Sequence, residues 1–228
     1  MTTSWVEGPL PALDLETTGI DPRLDRIVEV ALVFISPDGQ ETATGYSTIV
    51  APGVPIPPEA SAVHGITDER AASEGVAPED ALRETVARLD WVSKLAAPLV
   101  IFNAAFDWPL LQAEAARHGI ALPRLPLLDP LIVDRKHDRY RKGSRTLDAV
   151  AAHYGVPASD LHRASGDARI AAGIARALVD AYPELRGLTP RELHDLQVGW
   201  HAEWRDGFND WLRRKGRLDL VTGDWPGA

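Results

Sequence analysis

Cysteine is absent from the 228-residue sequence, so disulfides, thiolate metal sites and a cysteine nucleophile are excluded together. Lysine is scarce, four residues against twenty arginines, a bias that fits a GC-rich genome better than nucleic-acid recognition. No run approaches the ~18 apolar residues of a membrane span, and Met1 to Pro9 holds neither a basic n-region nor an apolar h-region. These absences lead us to expect an intracellular, cytoplasmic protein with no membrane contact. Positive charge is also short overall: 24 Lys and Arg face 33 Asp and Glu, a formal net charge of -9. That balance argues against a protein that coats nucleic acid or anionic membrane through a generally basic surface. It does not exclude an enzyme that meets nucleic acid at a local site.

What is present suffices for a core. Hydrophobic residues make up 45% and charged residues 25%, and the length suits one domain with an appendage or two small ones. Apolar runs at 10–15 and 27–35, separated by turn formers at Gly19 to Pro22, predict two adjacent strands. A turn at Pro37 to Gly39 and a third strand over 44–50 complete an antiparallel meander. The proline-rich stretch 51–58 predicts a surface loop. Leu82, Val86, Leu89 and Leu95 behind Pro78 predict a helix over 78–96, with a buried strand at 99–102. Helices at about 106–118, 146–154 and 167–182 and a short strand near 125–129 follow, which implies a mixed sheet flanked by helices. Thr189, Pro190 and Glu192 have capping-box spacing. Leu193, Leu196, Trp200, Trp204, Phe208 and Trp211 continue at helical spacing, predicting a final helix of about 25 residues.

Three sequence segments carry chemistry. Asp14 and Glu16 sit two residues apart at the end of the first strand, where alternation puts both carboxylates on one face about 7 Å apart along the chain. Thr17, Thr18 and Gly19 then turn the chain and offer backbone N–H groups to a phosphate. Asn103, Phe106 and Asp107 follow the buried strand directly, at a sheet edge where α/β folds place ligands. His162 lies in a loop, with Asp167 five residues on in the first turn of the next helix, whose N-terminus favours an ionised carboxylate. Each has an ordinary explanation alone: an exposed strand-end acid, a dipole-matched aspartate, a surface histidine. Their joint occurrence at the ends of core elements is harder to explain that way.

In these segments the sequence resembles the DnaQ-like 3′-to-5′ exonucleases, in the DEDD branch with histidine as the fifth residue. Asp14 and Glu16 match the first motif, Asp107 the second, and His162 with Asp167 the third. The segment from Ile56 to Asp68 is similar to the part that encloses the terminal nucleotide, and that from Ser144 to Val156 to the helix before the third motif. The resemblance implies an α/β, ribonuclease H-like five-stranded mixed sheet over residues 8–186, with a C-terminal helical extension at 187–228. It implies two divalent ions, Mg²⁺ or Mn²⁺, on Asp14, Glu16, Asp107 and Asp167, with His162 as general base. Hard oxygen ligands suit those ions independently. Thr17, Val63, His64, Asn103 and Phe106 would surround the terminal nucleotide, although Phe106 is equally readable as core. The implied activity is release of nucleoside 5′-monophosphates from DNA 3′ ends. The alternatives are trimming of RNA ends and a catalytically silent nucleic-acid-binding module. A DNA polymerase is an implied partner.

Two features lie outside those motifs. Between residues 135 and 145, Arg135, Lys136, Arg139, Arg141, Lys142 and Arg145 face only Asp138, a loop whose charge and Tyr140 suit a phosphodiester backbone and a base, or simply a solvated surface. Residues 187–228 hold Trp200, Trp204, Trp211 and Trp225, four of seven tryptophans. Packing on the chain's own domain is the leading expectation for that stripe, self-association or a partner surface the alternative.

Overall fold

The computed structural model describes residues 4–159 and 161–227. Five strands form one sheet in the order β3-β2-β1-β4-β5: β1 (Leu10–Thr17), β2 (Ile27–Ile35), β3 (Tyr46–Ile49), β4 (Leu99–Val100) and β5 (Leu127–Leu128). β1 pairs antiparallel with β2, and β2 with β3, whereas β1–β4 and β4–β5 are parallel. The mixed α/β sheet is therefore as expected.

Side-chain alternation along β1 decides which face does chemistry. Leu10 and Ala12 point to the face covered by α7 (Ala164–Ala181), where Ile170, Ile174 and Leu178 complete a core with Val33 and Ile35. Asp14 and Glu16 continue that same face beyond the core. Leu13 and Leu15 point the other way, towards α3 (Pro78–Val92) and α4 (Ala104–Arg117), through Leu82, Leu89, Leu110 and Leu111. All nine residues of β2 are buried because both faces are covered. Each large aliphatic side chain so buried contributes roughly 1.5–3 kcal/mol.

Three short helices were not expected from apolar spacing: α1 (Pro58–His64), α2 (Asp68–Glu74) and α5 (Pro130–His137). The first begins at the last residue of the proline-rich stretch and the second follows it, and Ile56, Ile66 and Ala71 pack there on Val28 and Ile49 as a small third core. α6 (Leu147–His153) leads into α7, and a 3-10 turn at Pro183–Gly187 leads into α8 (Pro190–Arg214), whose capping box on Thr189 and Glu192 is formed. α8 packs on α5 and β5, Leu193 enters one core, and Trp225 returns to bury itself in the other. No helix among the described residues is long and apolar enough to cross a membrane.

Candidate active site

β1 and β4 run parallel and end at the same edge of the sheet. Their C-terminal ends open on a cleft of about 380 Å³ lined by Asp14, Glu16, Asn103, Phe106, Asp107, His162 and Asp167. The β1–β2 ladder shifts register between Glu16 and Thr17, so regular pairing stops at the second carboxylate. Ligand atoms of Asp14, Glu16 and Asp167 all lie within 4.8 Å of one another, close enough to hold one metal ion. Asp107 lies outside that trio. It is buried in the first turn of α4, and its Oδ1 accepts the Leu15 N–H at 3.2 Å.

Three carboxylates this close repel unless a cation or protons intervene. Burial first, then Asp107, Glu16 and Asp167, push the Asp14 carboxyl well above the usual range. Burial, then Asp167 and Glu29, push Glu16 up to about 8, with Arg163 opposing. Asp107 and Asp167 are raised too, chiefly by burial. An all-oxygen, acidic and partly desolvated donor set of this kind fits a hard divalent cation. Without metal, folded Glu16 holds its proton more tightly than the unfolded chain does. Its favourable contribution is present in full below about 4.5 and is lost as pH rises to about 8. Melting in EDTA should thus drop by several °C across that window, and added Mn²⁺ should restore most where the loss is greatest. A pH-independent melting temperature in EDTA would refute this account.

His162 adopts left-handed backbone geometry at φ 64°, a conformation histidine enters more readily than most residues. The Asp167 side chain fixes it, Oδ1 accepting the His162 N–H at 3.3 Å, so the imidazole stands exposed at the mouth of the cleft. Glu29, which the motif reading passed over, supports this turn. It faces Glu16 across the β1–β2 ladder, is 2% exposed, and accepts from the Arg163 guanidinium at 3.2 Å and the Ala164 N–H at 3.3 Å. The buried acid thereby holds the start of α7.

Asp129 does the same for the second motif. Its carboxylate accepts the N–H groups of Asn103 and Ala104 at 2.9 Å each, that of Leu131 at 3.0 Å, and the Trp225 indole N–H at 3.1 Å. Asn103 is left-handed at φ 62°, which turns the chain from β4 into α4. Phe106 both lines the cleft and packs partly on the core.

Thr17, Val63 and His64 do not line this cleft. His64 is 4% exposed, and its Nδ1 accepts the Ile66 N–H at 3.1 Å. Burial holds its pKa below the usual imidazole range against the pull of the Thr17 main chain and Glu29. Val63, at the end of α1, is 56% exposed. Of the turn expected to offer N–H groups to a phosphate, the Thr18 N–H is occupied by the Arg26 carbonyl at 2.9 Å.

The basic loop also needs correction. Arg141 donates to fully buried Asp134 at 2.9 and 2.7 Å, Arg145 pairs with the same carboxylate, and the Tyr154 hydroxyl donates to it at 3.0 Å. Two of the six cations are structural. Arg139, Tyr140 and Lys142 remain exposed, and Arg135 and Arg145 line the cleft.

Comparison with known proteins agrees with this arrangement. The RNase_T exonuclease family model matches residues 12–175. A DNA polymerase III subunit epsilon-like protein of Rhodobacter capsulatus is 34% identical over 197 residues, covering 82% of this chain and 26% of its own. A PolC-type DNA polymerase III of Thermotoga petrophila is 30% identical over 86% of this chain, which spans only 14% of that relative. Exonuclease CP81 of Escherichia phage 186 is 30% identical over 76% of this chain and 90% of its own. E. coli exonuclease I, solved with a dT13 oligonucleotide, has a TM-score of 0.64 at 17% identity over 78% of this chain and 42% of its own. Exonuclease X bound to 5′-overhanging duplex DNA has 0.59 at 24% identity, over 82% and 99%. These two likenesses show the fold. The family match, extending across all five motif residues, shows that this chain belongs to the RNase_T exonucleases, the DnaQ-like group its motifs resemble.

Proposed function

We propose that this chain is a metal-dependent 3′-to-5′ exonuclease that hydrolyses the terminal phosphodiester of DNA and releases nucleoside 5′-monophosphates. The observation that carries the reading is the convergence of Asp14, Glu16 and Asp167 within 4.8 Å beside buried Asp107, with His162 exposed at the same cleft. Asp14, Glu16, Asp107 and Asp167 would hold two Mg²⁺ or Mn²⁺ ions. When bound, such ions supply activation of the attacking water and neutralisation of charge at the leaving 3′ oxygen.

The chain's own groups do the rest. The His162 imidazole takes the proton of the attacking water, and its left-handed backbone, clamped by Asp167, aims the ring into the cleft. Asn103 and Phe106 grip the terminal nucleotide within the cleft. Thr17, Val63 and His64 lie outside the cleft lining, and buried His64, through the main chain of Thr17, would support the nucleotide pocket from behind. The DNA polymerase III names of the relatives support a place beside a DNA polymerase, where the activity would serve proofreading.

The test uses 5′-labelled single-stranded, paired and 3′-mismatched DNA, with matching RNA, incubated with and without Mg²⁺ or Mn²⁺. A metal-dependent ladder shortened from the 3′ end is expected, fastest on DNA. His162→Ala should slow it about 10²–10⁴-fold, the usual worth of a positioned base. Shortening from the 5′ end, or full activity in His162→Ala, would overturn the assignment, and faster loss of RNA would change the substrate.

A further inference from the structure

Beyond the carboxylate cleft, α5 and α8 border an open groove of about 420 Å³, lined by Arg135, Lys136, Arg139, Trp204, Phe208 and Trp211. The aromatic rings form a ladder along α8. Trp204 and Phe208 stack with centroids 5.5 Å apart and planes 10° from parallel, and Phe208 and Trp211 follow at 5.6 Å and 18°. Spacings of four and three residues put all three on one side of the helix. Phe208 is 37% and Trp211 42% exposed, so this side is not core. The Arg135 guanidinium lies over Trp204, 3.8 Å from its ring centroid. Glu203 is the acidic residue at the groove, and Lys136 neutralises it at 2.8 Å.

Two further observations say what fits there. Arg135 lines both this groove and the carboxylate cleft, so a polymer held at one is led to the other. Gly207 lies on the groove floor, where an added Cβ would meet nothing within 4 Å. Glycine inside a helix costs about 0.5–1 kcal/mol relative to alanine, and here it leaves the floor flat between the rings. Because the rings cover one another's faces, the groove offers the exposed ring surface of Phe208 and of Trp211 at the end of the stack, beside Arg135 and Arg139. That surface matches a single strand, whose bases pack on aromatic surface without sequence preference while its phosphates meet positive charge. A protein partner would instead require apolar bulk with few unneutralised cations at its centre.

We propose that the α5–α8 groove is a second nucleic-acid-binding site, which takes the single strand on the 5′ side of the nucleotide held in the cleft. Bases pack on the exposed surface of Phe208 and Trp211, and Arg135 and Arg139 meet the phosphates, with Lys136 held by Glu203. The inference rests on the exonuclease reading for the polarity of the strand, but stacking in the groove is measurable without catalysis.

The test compares a dinucleotide and a 12-nucleotide single strand on the full chain. Affinity for the 12-mer is read in EDTA by fluorescence anisotropy, and dinucleotide hydrolysis is followed separately with Mn²⁺. Phe208→Ala and Trp211→Ala, both at exposed positions, should each weaken 12-mer binding about tenfold and leave dinucleotide hydrolysis unchanged. Gly207→Leu, which removes no ring but fills the floor, should weaken the 12-mer likewise. Unchanged 12-mer affinity in all three variants overturns the proposal. So does a concentration-dependent dimer, seen by sedimentation, that these substitutions dissolve while strand affinity stays the same. A wild type that binds the 12-mer through these residues yet hydrolyses neither substrate would sink the exonuclease reading and leave the groove standing.

Discussion

Glu16→Gln should yield a protein that is harder to melt in EDTA at pH 8 and nearly inactive as a nuclease. The substitution keeps the side-chain shape and removes one of three charges crowded within 4.8 Å. In the metal-free protein those charges repel in a partly desolvated site, which is why the Glu16 carboxyl is pushed up to about 8. Neutralising one lowers that repulsion, so the melting temperature in EDTA should rise, most above pH 8 and least near pH 5, where the native residue is already protonated. The same change removes a ligand charge, so the stabilisation produced by millimolar Mn²⁺ should shrink markedly. Turnover should fall about 10³-fold, the scale on which losing one fixed charge at a reacting centre acts. Opposite signs for stability and activity are the signature of a site held in tension for binding. A variant that loses stability in EDTA, or retains most of its Mn²⁺ response, would contradict this picture.

The elements that carry the carboxylates were legible because long-range order follows from period. Leu10 to Leu15 form an apolar run in which Leu13 to Glu16 alternate, the apolar positions of α7 recur at helical spacing, and Thr189 with Glu192 announces α8. What period could not reveal were contacts that span elements. Asp129-Pro130 has the form of a helix cap followed by proline at the first position, a signal for α5 hidden by the strand read through residue 129. Hydrophobic spacing along α8 pointed its aromatic stripe at the core. Leu193 and Trp200 do pack there, but Phe208 and Trp211 stay exposed, and the buried face runs through Leu193, Gln197, His201, Asn209 and Leu212. Gln197 explains why: its amide donates to the Leu127 carbonyl at 3.0 Å and accepts the Asp129 N–H at 2.7 Å. The helix completes the hydrogen bonds of an edge strand, a task for amides, and the rings of Trp204, Phe208 and Trp211 are left on the side of Arg135. The left-handed backbone of Asn103 and His162 is signalled in sequence only by residue types that enter it more readily than most; here the side chains of Asp129 and Asp167 accept their N–H groups and hold it. Local charge counting failed for a similar reason. A window from 135 to 145 stops one residue short of Asp134, the carboxylate that claims Arg141 and Arg145 from seven and eleven residues away.

That carboxylate gives the largest expected loss of stability. Asp134→Ala should lower the melting temperature by roughly 6–20 °C, because breaking a buried ion pair by removing one partner costs about 3–5 kcal/mol and a domain of this size loses about 2–4 °C per kcal/mol. Asp134 is 0% exposed, and the Arg141 and Arg145 side chains are only 12% and 16% exposed, so neither cation can recover full hydration when its partner goes. The Tyr154 hydroxyl loses its acceptor at the same time. Asp134→Asn should fall between the wild type and the alanine variant, since the amide can still accept from Tyr154 but no longer balances two guanidinium groups. On the same loop, Arg139→Ser and Lys142→Ser should change stability by less than about 0.5 kcal/mol, as exposed positions do, while weakening strand binding and its salt dependence. The contrast separates two roles that composition merged: two arginines that build the loop and two cations that face solvent from it. Thermal melts of the four variants, beside anisotropy titrations at two salt concentrations, measure it directly. An alanine at 134 that melts within a degree of the wild type would show that the arginines find other partners, and would return the whole loop to the surface.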